Sequence, residues 1–188
     1  MTRAVRRYPA AAGAFGVALL VAGCHRRAPE ITPNPMSKAE FGAALNQCAK
    51  SGDRLSVPSL RLACVLPEFG GASIDSTGTL NIFVTDLRIL PRAKVIVQYE
   101  LDAERRSQLQ FRFIKGDYSY RELESIIRKL LPYLGSGVAS VGIDEWVNRL
   151  KIAFVTDEAR VRLEKAIAEL GLARKAIILE KGEYATVL

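Results

Sequence analysis

The sequence predicts an α+β fold: a duplicated ββαβ unit, with antiparallel sheets packed against helices, behind a short helical, disulfide-bearing segment. Three observations predict it. A pattern of strand and turn residues occurs twice, the predicted strands alternate between apolar and polar residues, and the stretches between them carry apolar stripes at helical spacing. With 188 residues, of which 49% are hydrophobic, the chain is long enough to bury a core.

Residues 1–23 are predicted to be a lipoprotein signal peptide and not part of the fold. Arginines at positions 3, 6 and 7 precede an apolar run over 10–21, which is the order of a secretory signal. A helix over that run rises only about 18 Å, whereas the hydrocarbon core of a membrane is about 30 Å thick. A permanent membrane span is therefore not expected.

The apolar run closes with Val21, Ala22, Gly23 and Cys24, which resemble the lipobox of bacterial lipoproteins. The resemblance implies cleavage before Cys24, acylation of its thiol and attachment to a membrane through the acyl chains, with the folded part facing the periplasm. An ordinary signal peptide with an incidental cysteine is the alternative. Because His25 and not aspartate follows Cys24, the sorting rule of Gram-negative lipoproteins favours the outer membrane over the inner.

Residues 24–36 are predicted to form a flexible tether, because three prolines in this polar stretch favour extended chain. The next segment, 37–68, opens with Ser37 followed by Glu40, a capping-box pattern. Apolar residues at helical spacing continue as far as Gly52. The segment is therefore predicted to begin with a helix.

Two cysteines remain once Cys24 is assigned to lipid, and both lie in this segment. The stretch through Pro58 to Pro67 is predicted to be extended and to bring Cys64 back alongside Cys48. In an oxidising periplasm the pair is expected to form one disulfide. Two buried free thiols are the alternative, and a metal site is not expected because further ligands are missing.

The repeat sets the organisation of the rest of the chain. A first ββαβ unit is predicted over 69–118 and a second over 136–188, joined by a linking helix over 119–135. The match places one extra residue in the second turn and another in the second strand of the second copy. The matched segments are Gly71–Asp75 with Ala139–Asp144, Leu80–Asp86 with Leu150–Asp157, and Gly116–Tyr118 with Gly182–Tyr184.

Helices are predicted in the gaps between these segments. Ser119 and Glu122 form a second capping-box pattern ahead of the linking helix, and Asp157 is the predicted N-cap of the helix in the second copy. Its counterpart over 89–106 alternates in part like a strand, but the repeat favours a helix there. Residues 109–113 then alternate as a half-buried strand should.

Turn, strand and cap residues recur in a combination known from one family. The pieces concerned are Phe69–Asp75, Val84–Asp86, Tyr118–Glu124, Gly142–Asp144 and Asn148–Leu150. They resemble the repeated pro-region module of streptogrisin and α-lytic type secreted serine proteases, which also occurs in stand-alone exported proteins. In those proteases the region assists folding of the catalytic domain and inhibits it. The resemblance implies a protein-binding module that acts in trans on a periplasmic client or protease.

No catalytic site is expected in the folded body. His25, the only histidine, lies beside the predicted lipidated cysteine, which excludes Ser-His-Asp, Cys-His and histidine-based metal sites. Asp75 with Asp144, and Asp86 with Asp157, are conceivable carboxylate pairs, but their places at turns and helix starts account for them without chemistry. The chain is therefore predicted not to be an enzyme and to need no cofactor.

Trp146, in the turn of the second hairpin, is the candidate contact residue for a partner. A side chain folded back onto the sheet is the alternative. The net charge of +7 comes from basic residues interleaved with acids, and no nucleic-acid motif is present, so nucleic acid is not an expected partner. Two functions stay open: a lipid-anchored module that binds a periplasmic protein, or a structural or assembly component of the envelope.

Overall fold

The structure is a computed structural model that describes residues 36–52, 55–101 and 110–183. The predicted signal peptide, Cys24 and the tether up to residue 35 lie outside the described residues. So do Tyr184 of the last matched segment, Leu109, and the end of the helix predicted over 89–106. Within the described ranges, no helix is long and apolar enough to cross a membrane.

Helix α1 (Lys38–Lys50) confirms the first capping box. Oγ of Ser37 accepts the backbone N–H of Glu40 at 3.3 Å, and Oε2 of Glu40 accepts the backbone N–H of Ser37 at 2.7 Å. These bonds satisfy donors that the start of a helix leaves without partners. The helix ends at Lys50, with Ser51 as its C-cap.

The prediction of an extended stretch after α1 is wrong, because this stretch contains helix α2 (Pro58–Val65). Pro58 occupies the first helical turn, where its fixed φ suits the helix and its missing N–H costs no hydrogen bond. Leu62 and Val65 are among the buried side chains of α2. Their packing stabilises a helix that is too short to be stable by itself.

A disulfide joins the two helices, as predicted. Cys48 of α1 is bonded to Cys64 of α2, and their Cα atoms lie 6.4 Å apart. That separation is within the usual range of about 4.4–6.8 Å for disulfides. The bond therefore fixes α1 against the helix that leads into the first sheet.

Each repeat folds into a three-stranded sheet. The strands are β1 (Phe69–Ile74), β2 (Thr79–Val84) and β3 (Gln110–Lys115) in the first, and β4 (Val138–Asp144), β5 (Arg149–Phe154) and β6 (Ile177–Lys181) in the second. In each sheet the first two strands form an antiparallel hairpin, and the third pairs with the middle strand in parallel. The predicted duplicated ββαβ fold is confirmed, with a mixed sheet in each copy.

The two repeats share local hydrogen bonds as well as strand order. The first strand of each sheet bulges at the same place. The backbone N–H of Gly116 donates to the carbonyl of Val84 at 2.9 Å, and that of Gly182 donates to the carbonyl of Phe154 at 2.8 Å. These equivalent bonds fix how the residues of the two repeats correspond. The hairpin turn of the second copy has the predicted extra residue. The second strand of that copy does not have one, so this part of the prediction is wrong.

Within the described residues, an α-helix lies between the second and third strands of each repeat. Helix α3 (Leu90–Glu100) confirms the predicted helix of the first copy as far as the described residues reach. In the second copy α5 (Asp157–Glu169) follows Thr156, whose Oγ1 accepts the N–H of Ala159 at 3.3 Å. The predicted N-cap, Asp157, is wrong: it is the first helical residue, where its charge favours the positive end of the helix dipole.

Helix α4 (Tyr120–Leu130) links the repeats, and it begins with the second predicted capping box. Oε2 of Glu122 accepts the backbone N–H of Ser119 at 2.6 Å, and Oγ of Ser119 accepts that of Glu122 at 3.2 Å. Leu123 and Leu130 of α4 are fully buried. The sequence thus predicts both the start and the buried face of this helix.

Two apolar cores form, one in each repeat, between a sheet and its helices. The large buried side chains are Phe41, Leu62, Leu66, Phe69, Ile82, Val84 and Ile96 in the first, and Leu123, Leu130, Leu150, Ile152, Leu163 and Ile177 in the second. Tyr120, at the start of α4, packs against the first core, whereas the rest of the helix belongs to the second. Helix α4 therefore contributes to both.

Candidate functional site

The turn between β4 and β5, residues 145–148, leaves its own repeat and contacts the first one. Asn148 is only 1% exposed and has a φ of 54°, in the left-handed region that asparagine tolerates better than most residues. Its Nδ2 donates to the carbonyls of Gly70 and Tyr118, both at 2.7 Å. Its Oδ1 accepts the backbone N–H groups of Asp117 at 2.9 Å and Tyr118 at 3.0 Å. One buried amide thus satisfies four backbone groups of the first repeat.

Two glycines make room for this amide. A Cβ at Gly70 would lie 2.7 Å from the carbonyl oxygen of Tyr118 and 2.8 Å from Nδ2 of Asn148. A Cβ at Gly116 would lie 3.0 Å from Oδ1 of Asn148. Because such contacts are closer than side chains normally allow, both positions need glycine for close approach of the turn. The first repeat is therefore shaped to receive Asn148.

Glu145 anchors the other end of the same turn. Its Oε2 accepts the backbone N–H of Ala72 at 2.6 Å, and its Oε1 accepts the hydroxyl of Ser59 at 2.9 Å. Because β1 is an edge strand, the Ala72 N–H points away from the ladder and would otherwise need water as an acceptor. Burial raises the pKa of the neighbouring Tyr120 to about 12, and the carboxylate charges of Glu145 and Glu124 add to the rise.

Trp146 and Val147 lie between the two anchored residues, and both are exposed. Trp146 is 59% exposed and Val147 is 47% exposed. The indole also borders a shallow hollow of about 560 Å³ on the second sheet, together with Ser140, Gly142 and Lys151. A Cβ at Gly142 would meet nothing within 4 Å, so the floor of the hollow is bare backbone. Trp146 is thus exposed and also borders the face of the sheet.

The first pair of aspartates is held by its own hairpin turns. The carboxylate of Asp75 accepts N–H groups of Thr77 at 2.9 Å and Thr79 at 3.1 Å, and the bonds from Thr77 and Asn81 hold its pKa well below the usual range. Asp144 accepts the backbone N–H of Trp146 at 3.0 Å. Such contacts shape turns and keep Asp75 ionised, which does not suit proton transfer near neutral pH.

The second pair lies at helix starts, as the repeat predicts. Asp86 bonds the side chain and backbone N–H of Arg88, and these bonds lower the pKa of its carboxyl to about 2. Asp157 lies in the first turn of α5. Among residues 36–52, 55–101 and 110–183, no group of three or more His, Cys, Asp or Glu side chains is placed to hold a metal ion. These acids therefore have structural contacts where the structure describes them.

The interpretation of the turn rests on its own geometry. A scan against protein-family models and a search of curated proteins find no match to this chain.

The sequence places Asn148 in a turn, but it does not reveal the contact with Gly70, and it does not single out Glu145 at all. The available signal is indirect: asparagine in a turn tolerates the left-handed region, and glycines such as Gly70 and Gly116 permit close approach of another backbone.

Proposed function

We propose that the chain is a lipid-anchored protein-binding module of the bacterial envelope, facing the periplasm from the outer membrane and without catalytic activity. The observation that carries the proposal is the placement of Trp146 and Val147 between two anchored residues. Glu145 and Asn148 bind backbone groups of the first repeat on either side of the exposed pair. An exposed apolar pair therefore lies in a turn that is anchored at both ends.

An exposed aromatic side chain on an anchored turn favours binding for two physical reasons. Tryptophan is enriched among the few interface residues that carry most of the binding free energy. A side chain whose backbone is already ordered loses less conformational entropy on association than one in a free loop. Val147 adds a second exposed apolar side chain next to Trp146 in the turn, and the hollow that Trp146 borders also carries Asp144 and Lys151. Both properties support a protein partner.

We expect Trp146→Ala to weaken partner binding by about 2 kcal/mol or more, the loss typical of a central aromatic contact. The measurement is quantitative co-purification from solubilised envelopes with the full chain as bait. Val161→Ala is the matched control, because Val161 is 63% exposed on α5 and lies outside the turn. One client that is lost with the Trp146 variant alone supports the module, whereas equal recovery with both variants rejects it. Recovery within a large assembly, independent of Trp146, would support a structural role.

The anchor is tested separately through Cys24. We expect the mature N-terminus to be an acylated Cys24, and Cys24→Ser to move the chain from the membrane fraction to the soluble periplasm, because several acyl chains are needed for stable attachment. Mass spectrometry of the N-terminus and fractionation of the two forms provide the readouts. An unmodified residue other than Cys24 at the mature N-terminus would contradict the anchor but would leave the binding surface at Trp146 intact.

A further inference from the structure

The two repeats differ at several positions on the face of the sheet that packs against helices, and one of these positions is Ala72. Ala72 lies opposite Ile82 in the first hairpin, and Val141 lies opposite Ile152 in the second. Leu80 and Leu150 are an example of a neighbouring position that is the same in both repeats. The first repeat therefore lacks the two methyl groups that valine places at the same position of the second.

A cavity of about 500 Å³ borders this position. It lies between the first sheet, the start of α2 and the end of α3, and most of its walls are aliphatic. The apolar residues are Pro58, Leu62, Ala72, Ile74, Leu80, Ile82, Val97 and Leu101. Its volume falls in the range of about 300–1,000 Å³ that is typical of small-molecule sites. It is several times larger than the cavity of roughly 150 Å³ that holds one benzene molecule.

Of the polar side chains on the walls, Glu100 and Ser59 have hydrogen-bond partners, whereas the buried Oγ of Ser73 has none among the described residues. Glu100 borders the cavity, its side chain is 5% exposed, and its carboxylate accepts Nε of Arg61 at 2.8 Å. Ser59, also on the wall, donates to Glu145. Among the described residues that line the cavity there is no Lys, Arg or His. A carboxylate or phosphate of a ligand would therefore meet the Glu100 carboxylate and no cation among these lining residues.

We propose that this cavity binds one uncharged aliphatic chain, the hydrocarbon part of a lipid-class molecule. The aliphatic walls match a hydrocarbon, the volume exceeds that of a single amino-acid side chain, and the buried Glu100 carboxylate disfavours an anion. Ile74, which is 50% exposed, continues the apolar surface to the solvent side. Trp146 is not among the residues that line the site, although two lining residues, Ser59 and Ala72, bond Glu145 at the start of the turn.

The test uses the full chain with Cys24→Ser, which cannot carry an acyl chain of its own. The neutral dye N-phenyl-1-naphthylamine reports occupancy by its fluorescence, and 1-octanol and octanoate compete with it. We expect 1-octanol to displace the dye at much lower concentration than octanoate does. Ala72→Val, which gives the first repeat the residue of the second, should lower dye affinity about tenfold by filling the cavity. Ala168→Val, at an exposed position of α5, is the control that adds the same methyl groups.

Val97→Phe is a second variant that fills the cavity, and it is used in case Ala72→Val does not fold. Circular dichroism verifies the fold of each variant. The proposal is overturned if the wild-type chain does not bind the dye, if the filling variants that fold bind it as well as wild type, or if octanoate competes as well as 1-octanol. Displacement by leucine-rich peptides but not by 1-octanol would also overturn it, in favour of a protein occupant. Trp146→Ala should leave dye binding unchanged, which separates this result from that of the partner experiment.

Discussion

Replacing Asn148 with alanine is expected to lower the free energy of unfolding by about 3 to 5 kcal/mol. The variant removes four hydrogen bonds and leaves backbone groups of Gly70, Asp117 and Tyr118 without partners in a buried place. Alanine must also adopt the φ of 54° at this position, which costs roughly 1 kcal/mol. Urea unfolding followed by circular dichroism measures the loss.

Two further substitutions at the position separate these contributions. Asn148→Gly removes the hydrogen bonds but tolerates the positive φ. It should therefore lower the free energy of unfolding by less than Asn148→Ala does. Asn148→Asp retains an acceptor for Asp117 and Tyr118 but turns an anionic oxygen toward the carbonyls of Gly70 and Tyr118, which lie 2.7 Å from Nδ2. We expect aspartate to be the most destabilising of the three. An aspartate variant as stable as wild type would contradict the assignment of the amide contacts.

The receiving side of the contact supplies a matched pair of controls. Gly70→Ala places a Cβ within 2.8 Å of Nδ2 of Asn148 and should destabilise the chain in the same way. Gly42→Ala, in α1, meets nothing within 4 Å and should be neutral or stabilising, because alanine is the better helix former. If the two alanine variants were equally stable, the turn would not be held by close packing at Gly70.

Local sequence signals predict the elements that depend on residues near one another. The capping boxes at Ser37 and Ser119 involve residues three positions apart, and both are confirmed. The N-cap of α5 is missed by one residue, because Thr156 and Asp157 are both good capping residues and only the register of the repeat distinguishes them. The hairpins and the crossover helix of the first copy follow from comparison of the two repeats.

Interactions between distant residues explain what the sequence does not predict. Helix α2 is too short for a clear periodic pattern. Pro58 is compatible with extended chain as well as with the first turn of a helix, and burial against the first core stabilises the helix. The contacts of Asn148 with Gly70 and of Glu145 with Ala72 span 78 and 73 residues. No local pattern encodes them, so the site was predictable at Trp146 but not at the residues that hold it.

Removing the disulfide is expected to lower the free energy of unfolding by about 3 kcal/mol, the value for a closed loop of this length. The variant is Cys48→Ser with Cys64→Ser, studied in the Cys24→Ser background so that a reductant acts on one bond only. The sequence separation of the bonded pair is 16 residues. Urea unfolding of the variant, and of the parent with and without reductant, provides the measurement. An unchanged midpoint in both comparisons would contradict a stabilising role.

Removing the disulfide should destabilise some parts of the fold more than others. Helix α2 carries Cys64, the Leu62 wall of the cavity and the Ser59 hydroxyl that donates to Glu145. The second core receives no side chain from α1 or α2, so its strands should keep their protection. We therefore expect amide exchange to accelerate in α1 and α2 and in the turn at Glu145, but not in β5. Equal acceleration in β5 would mean that the disulfide stabilises the chain as a whole and not the segment that supports the turn and the cavity.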